Sequence, residues 1–183
     1  MNYFTADPHF GHDNIRTFCN RPFSTVAAMD AAMLSAYQSA MAPDDDLWII
    51  GDFAFAHSDD AERLEALLAA IPGRKHLIKG NHDKPWMTKL KGWASVHDMV
   101  QIIEDGTRLT LCHYPMITWP GSRHGALQLF GHVHDNWAGS RNSVNVGVDL
   151  WGFKPVTLPE IKARAASLPI NPLWHRVEPN TRL

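Results

Sequence analysis

The side chains of this sequence that could do chemistry are His, Asp and Asn residues that recur directly after short apolar runs. They are Asp7, His9, Asp52, Asn81, His113, His132 and His134. These nitrogen and oxygen donors, with no thiolate among them, favour Mn, Fe, Co, Ni or Zn over a structural zinc site built from cysteine. The histidines also argue against a Ca²⁺ or Mg²⁺ cage of oxygen ligands alone. Seven donors exceed the four of a closed zinc site, and they would serve two metal ions that share one bridging carboxylate.

The charge balance of such a site indicates the kind of substrate that it takes. Two divalent ions bring four positive charges, and Asp7 and Asp52 return two negative ones. An anionic substrate and a metal-bound hydroxide would neutralise the rest. Paired metals about 3.5–4 Å apart stabilise the attacking and leaving oxygens of an in-line displacement, the arrangement used on phosphate esters. Glycines beside the donors, such as Gly51 and Gly80, permit close approach of the backbone to ions and phosphate.

Strands and helices in alternation must position these donors. Runs of four or five apolar or β-branched residues bounded by Gly or Pro predict buried strands. These runs lie at 3–6, 47–50, 76–79, 109–112 and 127–130. Helices are expected over 25–42 and 59–71, the second with Asp59 and Glu62 as a capping box and Pro72 at its end. Strand–helix–strand alternation implies an α/β fold, in which functional groups gather beyond the carboxyl ends of the strands.

The second half of the chain predicts a hairpin, one helix and an extended tail. Strand patterns at 96–103 and 108–112 are joined by Asp105-Gly106, a dipeptide typical of hairpin turns. A helix is expected over 159–168, with proline in its first turn. The prolines between 169 and 183 predict a tail that packs over the surface in extended form. No repeat or linker-like stretch divides the chain, so its 183 residues favour a single domain over 1–183.

Taken together, the donor segments match a known family. Asp7-x-His9, Gly51-Asp52, Gly80-Asn81-His82-Asp83, His113 and Gly131-His132-x-His134 stand in the order found in the calcineurin-like metallophosphoesterase superfamily. The sequence resembles the small, capless bacterial or phage-type members, and the match spans residues 3 to 134. Two further stretches, 10–23 and 145–151, resemble one uncharacterised branch of that family. The resemblance implies a four-layer α/β/β/α sandwich of two mostly mixed β-sheets flanked by helices, with the metals at its rim.

The resemblance also implies a role for each donor. Asp7, His9 and His134 would hold the first metal ion, Asn81, His113 and His132 would hold the second, and Asp52 would bridge them. His82 would be a catalytic proton donor or a phosphate contact, oriented by Asp83, which could equally be an ordinary turn carboxylate. The cofactor would be two divalent transition-metal ions, with Mn favoured and Fe, Ni, Co or Zn as alternatives.

Residues near the first donors are candidates for substrate contacts. His12 and Asn14 could contact substrate or fix their own loop by hydrogen bonds. Arg21 could hold a phosphate through two hydrogen bonds, although bracing of a loop by the Arg21-Pro22-Phe23 segment is slightly favoured. Tryptophans near the motif loops could stack a base, or they could pack the loops. These are Trp86, Trp93, Trp119, Trp137 and Trp151.

Composition limits the partners and the compartment. Lys and Arg number 17 against 19 Asp and Glu, a net charge of −2, so the protein has no bulk attraction to polyanions. The first residues lack the pattern of a signal peptide, and the apolar runs are far shorter than a bilayer span. We therefore expect a cytoplasmic protein with no membrane partner, either a monomer or a homodimer, whose cysteines stay reduced.

The sequence thus predicts an enzyme that hydrolyses a phosphate ester by in-line attack of a metal-bridging hydroxide. A phosphodiester is favoured over a monoester, and a nucleotide is one candidate substrate. A nuclease acting on single-stranded nucleic acid is the first alternative, for which Arg74-Lys75 with Lys84, Lys89 and Lys91 supply only a modest basic track. A non-catalytic metal-binding scaffold is the second, less favoured because such proteins typically lose ligand residues and this chain keeps all seven.

Overall fold

The computed structural model describes residues 1–179, which form ten strands and five α-helices. The strands are β1 (Asn2–Thr5), β2 (Asp46–Ile50), β3 (Arg74–Ile78), β4 (Trp93–His97), β5 (Met99–Glu104), β6 (Thr107–Cys112), β7 (Leu127–Phe130), β8 (Gly139–Ser140), β9 (Ser143–Asn145) and β10 (Val156–Thr157). The helices are α1 (Ile15–Phe18), α2 (Val26–Ala40), α3 (Ala61–Ala70), α4 (Leu158–Ser167) and α5 (Pro172–Val177). All five strands predicted from apolar runs are present, within two residues of the expected bounds.

The strands form two five-stranded mixed sheets. The first has the order β10-β1-β2-β3-β4, in which only the edge strand β10 runs antiparallel to its neighbour. The second has the order β5-β6-β7-β9-β8, with a parallel centre and an antiparallel pair at each edge. Helices flank the pair of sheets, so the predicted α/β sandwich of two mixed sheets is confirmed.

Alternation of side chains along β2 separates two hydrophobic cores. Leu47 and Ile49 face α2 and α3, where they pack with residues such as Met33 and Leu68. Ile50 and its neighbours on β1 and β3 face the second sheet, and there they pack with leucines of β6 and β7. Because successive side chains of a strand point to opposite faces, a strand without polar alternation is buried on both sides. The continuous apolar runs of the sequence therefore correspond to the central strands of a layered fold.

Two local sequence expectations were wrong. The capping box before α3 is made by His57 and Asp60 around a short 3₁₀ turn, and not by Asp59 and Glu62. The strand pattern at 96–103 is two strands, β4 and β5, which lie in different sheets on either side of Asp98. Periodicity could not separate them, because both strands are partly buried and only one residue lies between them.

The segment after α4 also differs from the expectation. An extended tail was predicted over 169–183, but residues Pro172–Val177 form α5, whose first amides donate to the side chain of Asn171. Trp174 of this helix is fully buried against Trp119 and Ala126. Asn is a strong N-cap residue and Pro is favoured at the first helical position, so Asn171-Pro172 starts a helix here. Residues 180–183 lie outside the described part of the chain.

Within the described residues 1–179, none of the helices has the length and apolar character needed to cross a bilayer.

Candidate metal centre

The predicted donors follow the carboxyl ends of five strands and meet where the two sheets adjoin. Asp7 and His9 follow β1, Asp52 follows β2 and Asn81 follows β3 in the first sheet. His113 follows β6, and His132 and His134 follow β7 in the second sheet. Main-chain bonds stitch these loops together: Asp7 N donates to Gly51 O, His9 N donates to Asp52 O, and Gly131 N donates to His113 O, each at 3.0 Å. The donors are thereby fixed by the strand ends of both sheets.

The side chains form two adjoining groups. In the first, one ligand atom each from Asp7, His9 and His134 lie within 4.8 Å of one another. In the second, the same holds for Asp52, His113 and His132. We call these the first and second donor groups.

Asp52 lies between the two donor groups. Its Oδ2 is 3.5 Å from Nε2 of His9 in the first group and 3.5 Å from Nε2 of His113 in the second. Asn81 joins the second group, with its Oδ1 3.1 Å from Nε2 of His113. Asp52 thus lies between the two donor groups, and the seven residues predicted as ligands lie close together.

Backbone strain is concentrated at the donors. Eight non-glycine residues in the described chain have positive φ, and five of them are Asp7, His9, Asp52, His132 and His134. The left-handed region costs a non-glycine residue about 1–3 kcal/mol, and such residues cluster at functional sites. Two glycines beside them allow the close approach: a Cβ on Gly51 would lie 2.1 Å from His113 Nδ1, and one on Gly80 would lie 2.2 Å from Asp52 Oδ1.

The donor set fits a cation because the ligand atoms of several donors converge on the same places. His113 Nδ1 donates to Ile50 O at 2.9 Å, so Nε2 is the ring nitrogen that faces the Asn81 and Asp52 oxygens. His9 Nε2 is buried and has no hydrogen-bond partner in the described structure. Electronegative atoms that face one another in a buried site repel unless a proton or a metal ion lies between them.

The pKa values of the site also indicate that positive charge is favoured between the donors. Burial raises the pKa of Asp7 to about 6, and this effect outweighs the opposing influence of His113, His134 and the main-chain amide of His132. Burial lowers the pKa of His9 to about 2, which leaves its imidazole neutral and able to donate a lone pair. Burial opposes ionisation of Asp52 as well, but the hydrogen bond and charge of His113 hold its pKa at about 2. Although burial opposes it, the hydrogen bond to Asp52 raises the pKa of His113, and the hydrogen bonds to Asp149 and Cys19 raise the pKa of His134 to about 10. A metal ion that binds these two rings would displace a proton from each, as metals do when histidine binds them.

His82 and Asp83 do not form the pair that was predicted. The His82 ring lies beside the first donor group, 5.2 Å between centroids from His9, and its main-chain N donates to Asp52 Oδ1 at 2.8 Å. Asp83 does not orient that ring: its carboxylate accepts from the main-chain N–H groups of Asp52, Phe53 and Gly80. Asp83 thus ties the loops after β2 and β3 together, as a turn carboxylate would.

Arg21 lies beneath the site and does not reach substrate. Its side chain is fully buried and donates to both carboxylate oxygens of Asp149, at 2.7 and 3.1 Å, and to the main-chain oxygens of Asp7 and Pro8. The proposed phosphate clamp is therefore wrong, and the bracing role is what the contacts show. The guanidinium is saturated by partners inside the protein.

Asp149 is a site residue that sequence reasoning missed. Its Oδ2 accepts from Nδ1 of His134 at 3.0 Å, which leaves Nε2 as the nitrogen of that ring that could bind a metal ion. Asp149 lies in the 145–151 stretch, whose resemblance to one branch of the family predicts no role for it. Asn145 in the same stretch donates to the main-chain oxygens of His134 and Trp137, so the segment holds the loop after β7 from two sides.

Two cavities lie near the donor groups. The first measures about 320 Å³ and is lined by His9, His12, Ile15, Phe18, Cys19, His82, His134, Asp135 and Asn136. The second measures about 390 Å³ and is lined by Lys79, Gly80, Asp83, Pro85, Thr88, Asp98 and Tyr114. The Tyr114 ring packs against both His113 and His132, so this cavity adjoins the second group.

The remaining candidates for substrate contact divide between the cavity and other parts of the surface. His12 lines the first cavity, where its ring stacks on Phe55. Asn14 is exposed at the start of α1 and is not among the residues that line either cavity. None of the five tryptophans singled out from the sequence lines these two cavities; Trp119, for example, is buried and donates to Ala126 O.

Comparisons with known proteins give relatives over most of the chain. No family model matches. The chain is 29% identical over 164 residues to the uncharacterized protein MJ1445 of Methanocaldococcus jannaschii, covering 85% of this chain and 86% of that protein. It is 27% identical over 181 residues to the Gene 66 protein of Mycobacterium phage L5, covering 82% and 87%. Among solved structures, the protein of unknown function AQ665 from Aquifex aeolicus superposes with a TM-score of 0.72 at 28% identity, covering 89% of this chain and 98% of that one.

Proposed function

We propose that the chain has the calcineurin-like metallophosphoesterase fold that its donor segments resemble, and that it is a metal-dependent hydrolase of phosphodiesters. The observation that carries the proposal is the convergence of seven nitrogen and oxygen donors into two groups around Asp52. Asp7, His9 and His134 would hold one divalent ion, Asn81, His113 and His132 the other, with Asp52 between them. Mn is the favoured ion, and Fe, Ni, Co and Zn also suit this donor set.

Two bound divalent ions would supply Lewis acidity and a nucleophile for in-line displacement at phosphorus. The other tasks fall to protein groups. His82, which lines the first cavity, would give a proton to the leaving oxygen. Asp83 holds the loop that carries His82 through its bonds to three main-chain amides. Arg21 and Asp149 keep His134 and the loop of Asp7 in position.

The two cavities support a diester over a monoester. A diester has a substituent on each side of phosphorus, and a cavity adjoins each donor group. A monoester would need only one. The proposal therefore places the leaving group in the first cavity, beside His82, and the second substituent in the cavity lined by Tyr114.

Part of the basic track that would favour a nuclease is engaged within the protein. Arg74 pairs with Asp46 at 2.6 Å, and Lys91 lies 4.0 Å from Glu65. Lys75 is buried and donates to the main-chain oxygens of Ile71 and Gly73. Since affinity for nucleic acid comes mainly from free cationic groups on phosphates, these contacts favour a small diester over a long strand.

The test is hydrolysis of bis(p-nitrophenyl) phosphate and p-nitrophenyl phosphate by protein stripped with chelator and then given Mn, Ni, Co, Zn or Mg separately. We expect metal-dependent activity, higher on the diester. Asp52→Asn should abolish it, whereas Asp105→Asn, in the turn between β5 and β6, should not. A metal-loaded, folded protein inactive on a broad phosphoester panel would instead support the scaffold alternative.

A further inference from the structure

The first cavity is lined by the rings of Phe18 and His12, for which the hydrolysis of a simple phosphodiester gives no reason. Phe18 is 71% exposed. The His12 ring is edge-on to Phe18, with 6.4 Å between centroids, and it stacks at 4.3 Å on Phe55, which is 45% exposed and stands behind His12 without lining the cavity. Phe55 also lies 6.0 Å from the His82 ring. Exposed rings beside a polar site leave apolar area in water, and a ligand that covers them gains binding free energy.

The charges of this cavity select a neutral occupant for the part away from the donors. Ile15 supplies apolar surface, and the exposed Asp135 and Asn136 lie at the rim. The described residues that line the cavity include no Lys or Arg. An acidic rim without Lys or Arg repels a second phosphate away from the donors, yet it offers hydrogen-bond acceptors to a polar, uncharged group. A flat ring with polar edges could stack on the aromatic side chains and form hydrogen bonds with the residues at the rim.

We infer that the first cavity is a nucleobase subsite, and hence that the substrate is a phosphodiester with a nucleoside on the side of the leaving oxygen. The inference rests on the proposed function, because His82 in the same cavity fixes which substituent enters it. A volume of about 320 Å³ lies within the usual range of small-molecule sites, about 300–1,000 Å³. Stacking on aromatic side chains tolerates any base, because every base has a π-face.

The experiment measures binding of two probes that differ only in the base. Adenosine 5′-monophosphate and ribose 5-phosphate are titrated into the Mn-loaded protein by calorimetry, and both are tested as inhibitors of bis(p-nitrophenyl) phosphate hydrolysis. We expect the nucleotide to bind at least about fivefold more tightly than the sugar phosphate. Phe18→Ala should remove most of that preference without changing affinity for ribose 5-phosphate. Ile103→Ala is the matched control, since Ile103 is also 71% exposed but lies on β5 of the second sheet.

Equal binding of the two probes by the wild-type protein would overturn the nucleobase subsite. So would a preference that survives both Phe18→Ala and Phe55→Leu. Either result, with hydrolysis of bis(p-nitrophenyl) phosphate intact, rejects the subsite and leaves the proposed function standing. A protein that neither binds ribose 5-phosphate nor hydrolyses the diester would overturn both.

Discussion

At the scale of single residues, the candidate centre is a set of side chains held in unfavourable backbone conformations. Five of the seven donors have positive φ, and none of them is glycine. At about 1–3 kcal/mol each, this strain persists because the strands and the bonds between loops leave no alternative conformation. A binding site gains from that rigidity, since donors fixed in advance lose little entropy when they bind an ion.

The role proposed for His82 can be tested through the leaving group. An alkyl alcohol leaves as a strong base and needs a proton, whereas p-nitrophenolate needs little help. His82→Ala should therefore lower kcat by about 100-fold or more on an alkyl diester, but only a few-fold on bis(p-nitrophenyl) phosphate. Steady-state kinetics on the two substrates provide the comparison. Equal losses on both would show that His82 positions phosphate and does not donate a proton.

Asp149 is expected to be a positioning residue for the first donor group. It accepts from His134 Nδ1 and receives two hydrogen bonds from Arg21. Asp149→Asn weakens this hold on the ring, and loss of such outer partners typically costs about 10–100-fold in metal affinity. Elemental analysis after dialysis should find one ion per chain in place of two, with Asp105→Asn as the unaffected control. Retention of two equally tight ions in Asp149→Asn would contradict the assignment.

At the scale of elements, the sequence predicted the strands and donors that local patterns reveal. It did not predict contacts between residues that are far apart in the chain. Apolar runs gave the central strands, and the residues that follow them gave the seven donors. Arg21 and Asp149 are 128 positions apart in the chain, so no local pattern could show that they pair. Asp83 is next to His82 in the sequence, and this predicted that its carboxylate orients the His82 ring. Its hydrogen-bond partners include Asp52 and Phe53, which lie on another loop and which no local pattern could reveal.

The pairing of β2 with β3 contains an ion pair whose effect on stability depends on pH. Asp46 lies opposite Arg74 and accepts two hydrogen bonds from it, at 2.7 and 2.6 Å, and one from His76. The hydrogen bonds from Arg74 are the main reason that the pKa of Asp46 is lowered from 3.8 to about 2. A carboxyl with a lowered pKa in the folded state stabilises it above the unfolded pKa. That contribution is lost as the pH falls through the folded value.

Asp46→Asn should consequently lower the free energy of unfolding by about 1–2 kcal/mol at pH 7. The difference from wild type should shrink between about pH 4 and pH 2, where Asp46 itself becomes protonated. Urea unfolding at pH 7, 4 and 3 measures it, with the exposed Asp44→Asn as a control. A difference that stays constant over this range would show that the charge of Asp46 does not contribute to pairing.

At the scale of the whole molecule, the donor groups lie where the two sheets meet, and each group draws on both sheets. The first donor group joins Asp7 and His9, which follow β1, to His134, which follows β7. The second joins Asp52, which follows β2, to His113 and His132. A cation in either group is thus bound by both sheets at once. Unfolding, which separates the sheets, must release it.

Metal binding should therefore stabilise the entire fold. A ligand that binds only the folded state at a free concentration of 100 times its Kd adds about 2.7 kcal/mol. For a chain of this size that corresponds to a rise in Tm of about 5–10 °C. Thermal unfolding with chelator and with Mn should show this rise in wild-type protein and in Asp105→Asn. Asp52→Asn should lose most of it, because Asp52 Oδ2 is 3.5 Å from a histidine nitrogen of each group. An identical Tm with chelator and with Mn in the wild-type protein would show that the donor groups between the sheets do not bind Mn.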